Sequence, residues 1–110
     1  GLIKSDTTNY IQTTIAVNKK NDVLIGFQEV NDHSFISPRF TWRMAGDKKG
    51  TVRKIIKVAE GDAATDGDAW GDYSGSMMDG DNRMDLWTVQ SRANEKGKAE
   101  SIIVKVPFKK

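Results

Sequence analysis

Apolar residues in this chain recur at every second position and seldom at the three-to-four spacing of a helix. Ile11, Thr13, Ile15 and Val17 share one side of an extended segment. So do Val23, Ile25 and Phe27, then Phe40, Trp42 and Met44, then Val52, Lys54, Ile56 and Val58. Such alternation is the mark of a strand that buries one face. Between the four segments stand clusters of turn-forming residues: NKKND at 18–22, NDHSFISP at 31–38 and AGDKKG at 45–50. Links this short join antiparallel neighbours, because a parallel crossover needs about a dozen residues or more. The first half is therefore predicted to be a four-stranded antiparallel meander.

After an acidic loop from Glu60 to Asp68 the pattern restarts with WGDYSGSMMD, turns at GDNR, runs along MDLWTVQSRA, turns at NEKGK and ends in ESIIVKVPF. That predicts three more strands. In the last, Ile102, Val104, Val106 and Phe108 alternate against Ser101, Ile103 and Lys105. Pro107 falls near the end of what reads as an edge strand, where a missing ladder donor matters least. The halves read as repeats, TTIAVNKKNDVLIGFQEV against GDYSGSMMDGDNRMDLWTVQSRA, each a strand, a polar turn with Asn and Asp, and a strand carrying an aromatic. Their spacing of roughly fifty-five to sixty residues lies near the upper end of repeat lengths that signal propellers or solenoids.

Four-stranded antiparallel units at such a spacing are blades of a β-propeller. The expected organisation is all-β: residues 1–10 as the tail of a preceding blade, 11–68 as a four-stranded blade and 69–110 as a three-stranded closing blade. A seven-stranded sandwich accounts for the strand count equally. Propellers hold about four to eight blades, so two are incomplete alone and would expose apolar faces and unpaired strand edges. The remaining blades are expected from other chains or from a longer parent chain, and a free monomer is not expected.

The chain has no cysteine and one histidine. Disulfides, a thiol nucleophile and cysteine-based zinc sites are excluded. His33, the lone histidine, cannot build a histidine zinc site and reads as a solvated loop residue. No run of about eighteen apolar residues is present, so no transmembrane helix is expected. The formal charge of +2 conceals an asymmetry: Glu60 to Asp85 carries −7, from eight acids and Arg83, and the rest carries +9. The bases are scattered singly without a basic helix or an RNA-binding aromatic motif, so nucleic acid is not an expected partner.

Ile15 to Asn18, Asp22, Val23, Ile25, Gly26 and Phe27, the Gly50-Thr51 and Glu60-Gly61 pairs, WGDYSG at 70–75 and Leu86-Trp87 together resemble the closing blades of secreted bacterial β-propellers of the sialidase-like (BNR-repeat) group, with Thr13 and Thr14 standing where that pattern has Pro-Ser. The resemblance covers the chain from Ile11 onward and implies a secreted or cell-surface location. It implies a scaffold and channel-lining role, with a carbohydrate as the ligand, and as the alternative a part in a sialidase-like glycoside hydrolase. Trp70 and Tyr73 would fill the wedge between blades, and Gly71, Ser74, Gly75 and Ser76 would form a strand that other backbone approaches closely. Asp79, Gly80, Asp81 and Asn82 would make the turn that follows.

Glycoside hydrolysis needs a pair of carboxylates, or in sialidases a tyrosine nucleophile with a partner acid, plus arginines for an acidic sugar. Asp72, Tyr73, Arg39, Arg43 and Arg53 are of those types but sit on at most two blades, so no complete catalytic site is expected in this chain. The binding candidates are Arg39, Trp42, Arg43, Trp70, Asp72 and Tyr73, with Arg39 and Trp42 as a possible stacking or anion-binding pair. Asp62, Asp66 and Asp68 are the candidate ligands for calcium, since hard cations take six to eight oxygens and dense acids repel unless neutralised. The loop lacks the spacing of an EF-hand, and a solvated acidic loop is the bland alternative.

Overall fold

A computed structural model describes residues 3–31, 34–63, 74–96 and 98–108. Seven strands account for its regular structure: β1 (Asn9–Val17), β2 (Val23–Asn31), β3 (Ser34–Arg43), β4 (Ile56–Lys57), β5 (Gly75–Met78), β6 (Leu86–Ala93) and β7 (Ala99–Val106). They form two antiparallel meanders, one in the order β1-β2-β3-β4 and one in the order β5-β6-β7. The all-β class and the division into four and three strands follow the alternation in the sequence. The sheets pack face to face, β1 against β5 and β2 and β3 against β6. The shortest dimension of the molecule, 18 Å, is that of two sheets about 10 Å apart with their outer side chains.

The turns use the chemistry that the sequence advertised. Asn18 Oδ1 accepts from the backbone N–H groups of Lys20 and Asp22, and its amide donates to Asp22 Oδ2 and to the Met84 carbonyl. Asp22 in turn accepts from Ala45 N. One buried asparagine thus ties the β1–β2 turn to the other sheet, and its aspartate partner ties it to the end of β3. Asp79 closes the β5–β6 turn by accepting from the N–H groups of Asp81 and Asn82, with Asn82 Oδ1 accepting from Met84 N and Asp85 N. Asn94 does the same between β6 and β7 by accepting from Lys96 N and Lys98 N.

Three local expectations change. The register of β1 against β2 shifts between Ile11 and Thr14, where Gln12 has a φ of 54°. This bulge inverts the alternation, since one extra residue moves every later side chain to the opposite face. Ile11 and Ile15 therefore point to different faces: Ala16 and Asn18 are buried, and Ile15 and Val17 are 62% and 45% exposed. Likewise β2 turns Leu24, Gly26 and Gln28 toward the other sheet rather than Val23 and Ile25. The NDHSFISP segment is mostly strand, because β3 already begins at Ser34 and Pro38 serves the ladder with its carbonyl, which accepts from Val58 N. The fourth strand shrinks to two residues, although Arg53 N also donates to the Trp42 carbonyl upstream of it.

Two layers fill the space between the sheets. The apolar layer joins Ala16 and Leu24 of the first sheet to Met84, Leu86 and Phe108 of the second half, flanked by Phe40, Trp42, Met44, Met78 and Val106. The polar layer consists of Thr14, Gln28, Ser76, Thr88 and Gln90. Gln28 donates to Gln90 Oε1 at 3.5 Å, and the Gln90 amide donates to Thr88 Oγ1 at 3.0 Å and to Thr14 Oγ1 at 3.4 Å. Ser76 bonds both Thr14 and Thr88 through their hydroxyls.

The strand of small residues behaves partly as expected. Ser74 donates to the Gln12 carbonyl at the bulge and Ser76 reaches β1, yet a Cβ on Gly75 would meet nothing within 4 Å. The close approach falls instead at Gly26, where a Cβ would collide with Thr88 Oγ1 and the Gln90 amide. Gly26→Ala is therefore expected to lower stability by about 1–3 kcal/mol, the usual cost of overpacking a filled interior. Urea unfolding followed by tryptophan fluorescence measures the loss.

Candidate functional site

Charged residues collect at three places. At the first, Arg39 of β3 is buried, with only 3% of its side chain accessible. Its Nε donates to Glu29 Oε2 at 2.7 Å, Nη2 to Glu60 Oε1 at 3.0 Å, and Nη1 to the carbonyls of Pro38 and Ala59. A guanidinium has five donors in a rigid fork, and here all three of its nitrogens are engaged by internal acceptors. Ser37 completes the cluster: its hydroxyl accepts from Gly61 N, while Ser37 Oγ and Glu60 Oε2 lie 3.4 Å apart. Burial pushes the Glu60 carboxyl upward, but the Arg39 hydrogen bond, the charges of Arg39 and Lys57 and the Ser37 hydrogen bond hold it below its ordinary value.

Residues 59–62 continue from this cluster to the other sheet as a strap. Asp62 N donates to the Ala93 carbonyl at 2.7 Å, and Arg92 of β6 donates to the Glu60 carbonyl while its guanidinium lies 3.4 Å from Asp62 and 3.6 Å from Glu100. Gly61 is needed in this strap, since a Cβ there would strike the Ile36 carbonyl and Phe35. Asp62, a candidate calcium ligand, is thus neutralised by an arginine. Its proposed fellow ligands Asp66 and Asp68 lie outside the described residues, as do Trp70, Asp72, Tyr73 and His33. Among the described residues no three Asp, Glu or His side chains are grouped to hold a metal ion.

The second place is the β3–β4 connection. Arg53 grips Asp47 through Nε at 2.8 Å and Nη2 at 2.9 Å. Its guanidinium also lies 4.5 Å from the centre of the Trp42 ring, whose other neighbour is Phe108, edge-on at 6.0 Å. The hydrogen bond from Arg53, then that from Met44 N, brings the Asp47 carboxyl down to about 2. Arg39 and Trp42 do not come together: they occupy opposite faces of β3, and the cation that stacks on Trp42 is Arg53. Arg43 lies beside this turn with Nη2 donating to the Asp47 carbonyl at 2.7 Å.

The third place is the outer face of β5–β7. Trp87 Nε1 donates to Asp79 Oδ2 at 3.1 Å, and Lys105 Nζ sits 5.4 Å from the indole centre. The Asp81 N–H first, and then the Trp87 indole and the Asn82 N–H, hold the Asp79 carboxyl below its ordinary value. Asp85 is also lowered, chiefly by the Asn82 amide. Around this anchored indole Met77, Val89 and Ile103 line a shallow apolar groove of about 320 Å³, floored by Gly75 and Ser76. Met77 and Ile103 are each 65% exposed.

Glu29 and Arg92 were missed in the sequence, although Arg92 faces Glu100 across the β6–β7 ladder as a cross-strand charge pair. The apolar outer face was missed because alternation alone does not say which of two faces is covered. Comparison with models of protein families, with curated proteins and with solved structures gives no match to this chain.

Two outcomes follow from the arginine clusters. Arg39→Met leaves Glu29 without its cation and Glu60 with Lys57 alone, and should cost about 3–5 kcal/mol, the usual loss on breaking a buried ion pair from one side; thermal unfolding monitored by circular dichroism reads it. Asp47 has a folded-state value depressed below the unfolded one, so its contribution is complete above about pH 4 and disappears as pH falls toward about 2. Amide shifts of residues 44–53 followed from pH 5 to pH 1.5 should move together with a midpoint near 2, and a midpoint near 4 would remove the Arg53 pairing as the cause.

Proposed function

We propose that the chain is a scaffold segment of a larger β-propeller, two stacked blades onto which further sheets pack, contributed by other chains or by a longer parent chain. The observation that carries this reading is the outer face of β5–β7, where Met77 and Ile103 stand exposed beside a half-buried Trp87. Soluble single domains seldom leave such a contiguous apolar face bare.

The same reading seats a strand from outside the chain on β7. Among the described residues β7 is paired by β6 alone, and its far edge offers backbone donors and acceptors over Ile102 to Val106. Location at a cell surface or in a secreted protein belongs to this proposal through the resemblance that suggested it. A glycosidase reading gains no support from Arg39 and Arg53, whose guanidinium groups are committed to internal carboxylates.

Native mass spectrometry at low micromolar concentration tests the reading. The expected result is self-association of the chain that Ile103→Glu abolishes while the circular dichroism spectrum stays that of β-sheet. A monodisperse monomer of the unaltered chain would overturn it.

A further inference from the structure

The described arginines that are at least half withdrawn from solvent, or that brace an aromatic ring, each hold a carboxylate with one exception. Arg39 has Glu29 and Glu60, Arg53 has Asp47, and Arg92 has Asp62 and Glu100. Arg43 forms no ion pair within 4 Å among the described residues. One of its nitrogens donates to the Asp47 carbonyl and its charge acts on the Asp47 carboxylate, while its Nε, like that of Arg92, is withdrawn from solvent without a hydrogen-bond partner among the described residues. Its remaining guanidinium N–H groups are donors that a charge-assisted hydrogen bond to an anion would engage.

The surroundings of Arg43 have the shape of a binding cleft. Ile25 of β2 and Arg43 of β3, on the outer face of the four-stranded sheet, line it together with Ile3 and residues Lys49, Gly50, Thr51 and Val52. Gly50 has a φ of 80°, a left-handed conformation that lets the loop fold back over the sheet. The cleft holds about 280 Å³, about nine water volumes of some 30 Å³ each. Its lining charges are both positive, Arg43 and Lys49, and the carboxylate of Asp47, whose carbonyl Arg43 bonds, is held by Arg53. Ile3, Ile25 and Val52 supply apolar surface beside that charge.

We infer that this cleft binds a small amphiphilic carboxylate, its head on the Arg43 guanidinium and the Lys49 ammonium and its short alkyl or aryl tail against Ile3, Ile25 and Val52. A planar carboxylate matches the Arg fork through two parallel hydrogen bonds. A neutral molecule of the same shape would leave the guanidinium unmatched, and a small inorganic anion would leave the apolar walls wet. The inference stands apart from the scaffold reading, because the cleft lies on the other sheet from the Met77–Ile103 face.

The test is a titration of the 110-residue chain with hexanoate, followed by amide shifts and by calorimetry, with hexanamide and chloride as controls. Saturable shifts confined to residues 25, 43 and 49–52 are expected, with hexanamide at least tenfold weaker and chloride without effect on them. Arg43→Met should weaken hexanoate at least tenfold, and Lys49→Gln, which touches no internal partner, should weaken it several-fold and leave the spectrum otherwise unchanged. Should Arg43→Met unfold, Lys49→Gln alone decides. Absence of saturable shifts, equal binding of hexanamide, or full affinity in Lys49→Gln and Arg43→Met would overturn the inference.

Discussion

The two sheets can approach as they do because position 26 carries no side chain. Thr88 Oγ1 and the Gln90 amide occupy the space where a Cβ would stand, and from there a chain of hydrogen bonds runs to Gln28, Thr14 and Ser76. Buried polar groups are tolerable only when matched, since an unmatched one costs about 1–3 kcal/mol. The seam therefore fixes the relative position of the sheets more strictly than the apolar layer beside it, where Met44, Met78 and Met84 can adjust. Moving one sheet along the other by a residue would strand the glutamines.

Around that seam the charged residues serve mainly as fasteners. Arg39 locks β3 to residues 59–60, Arg92 draws the same strap to β6, and Arg53 closes the β3–β4 connection over Trp42. Four acids of the 60–85 stretch, Glu60, Asp62, Asp79 and Asp85, meet lysines or arginines from outside it, as Lys105 meets Asp79 and Asp85. Two features stand outside these fasteners among the described residues: the partly buried Arg43, which holds a carbonyl but no carboxylate, in a cleft on one sheet, and an apolar face on the other.

Strand number, order and the shorter turns were legible because they depend on local rules, whereas the NDHSFISP segment read as a turn is mostly strand. The Asn18, Asp79 and Asn94 turns are built by side chains bonding backbone two to four residues away, and Ile102, Val104 and Val106 keep their alternation through β7. Facing was not legible. A single bulged residue at Gln12 reverses β1, and nothing in IQTTIAV announces it. Period-two patterning puts Arg39 and Trp42 on opposite faces of β3, but it does not say which cation meets which acid, which depends on strap 59–62 crossing between sheets. Gly26 and Gly75 look alike in the sequence, and only the partner strand distinguishes the glycine that is required from the one that is not.

The close meeting at Gly26 is the point on which the account rests, and it is open to direct observation. Nuclear Overhauser spectroscopy of the chain should show cross-peaks from the Gly26 α-protons to the Gln90 side-chain amide and to the Thr88 methyl, together with slow exchange of that amide. Intact β2–β3 and β6–β7 ladders without those cross-peaks would mean that the two sheets form but do not meet in this way.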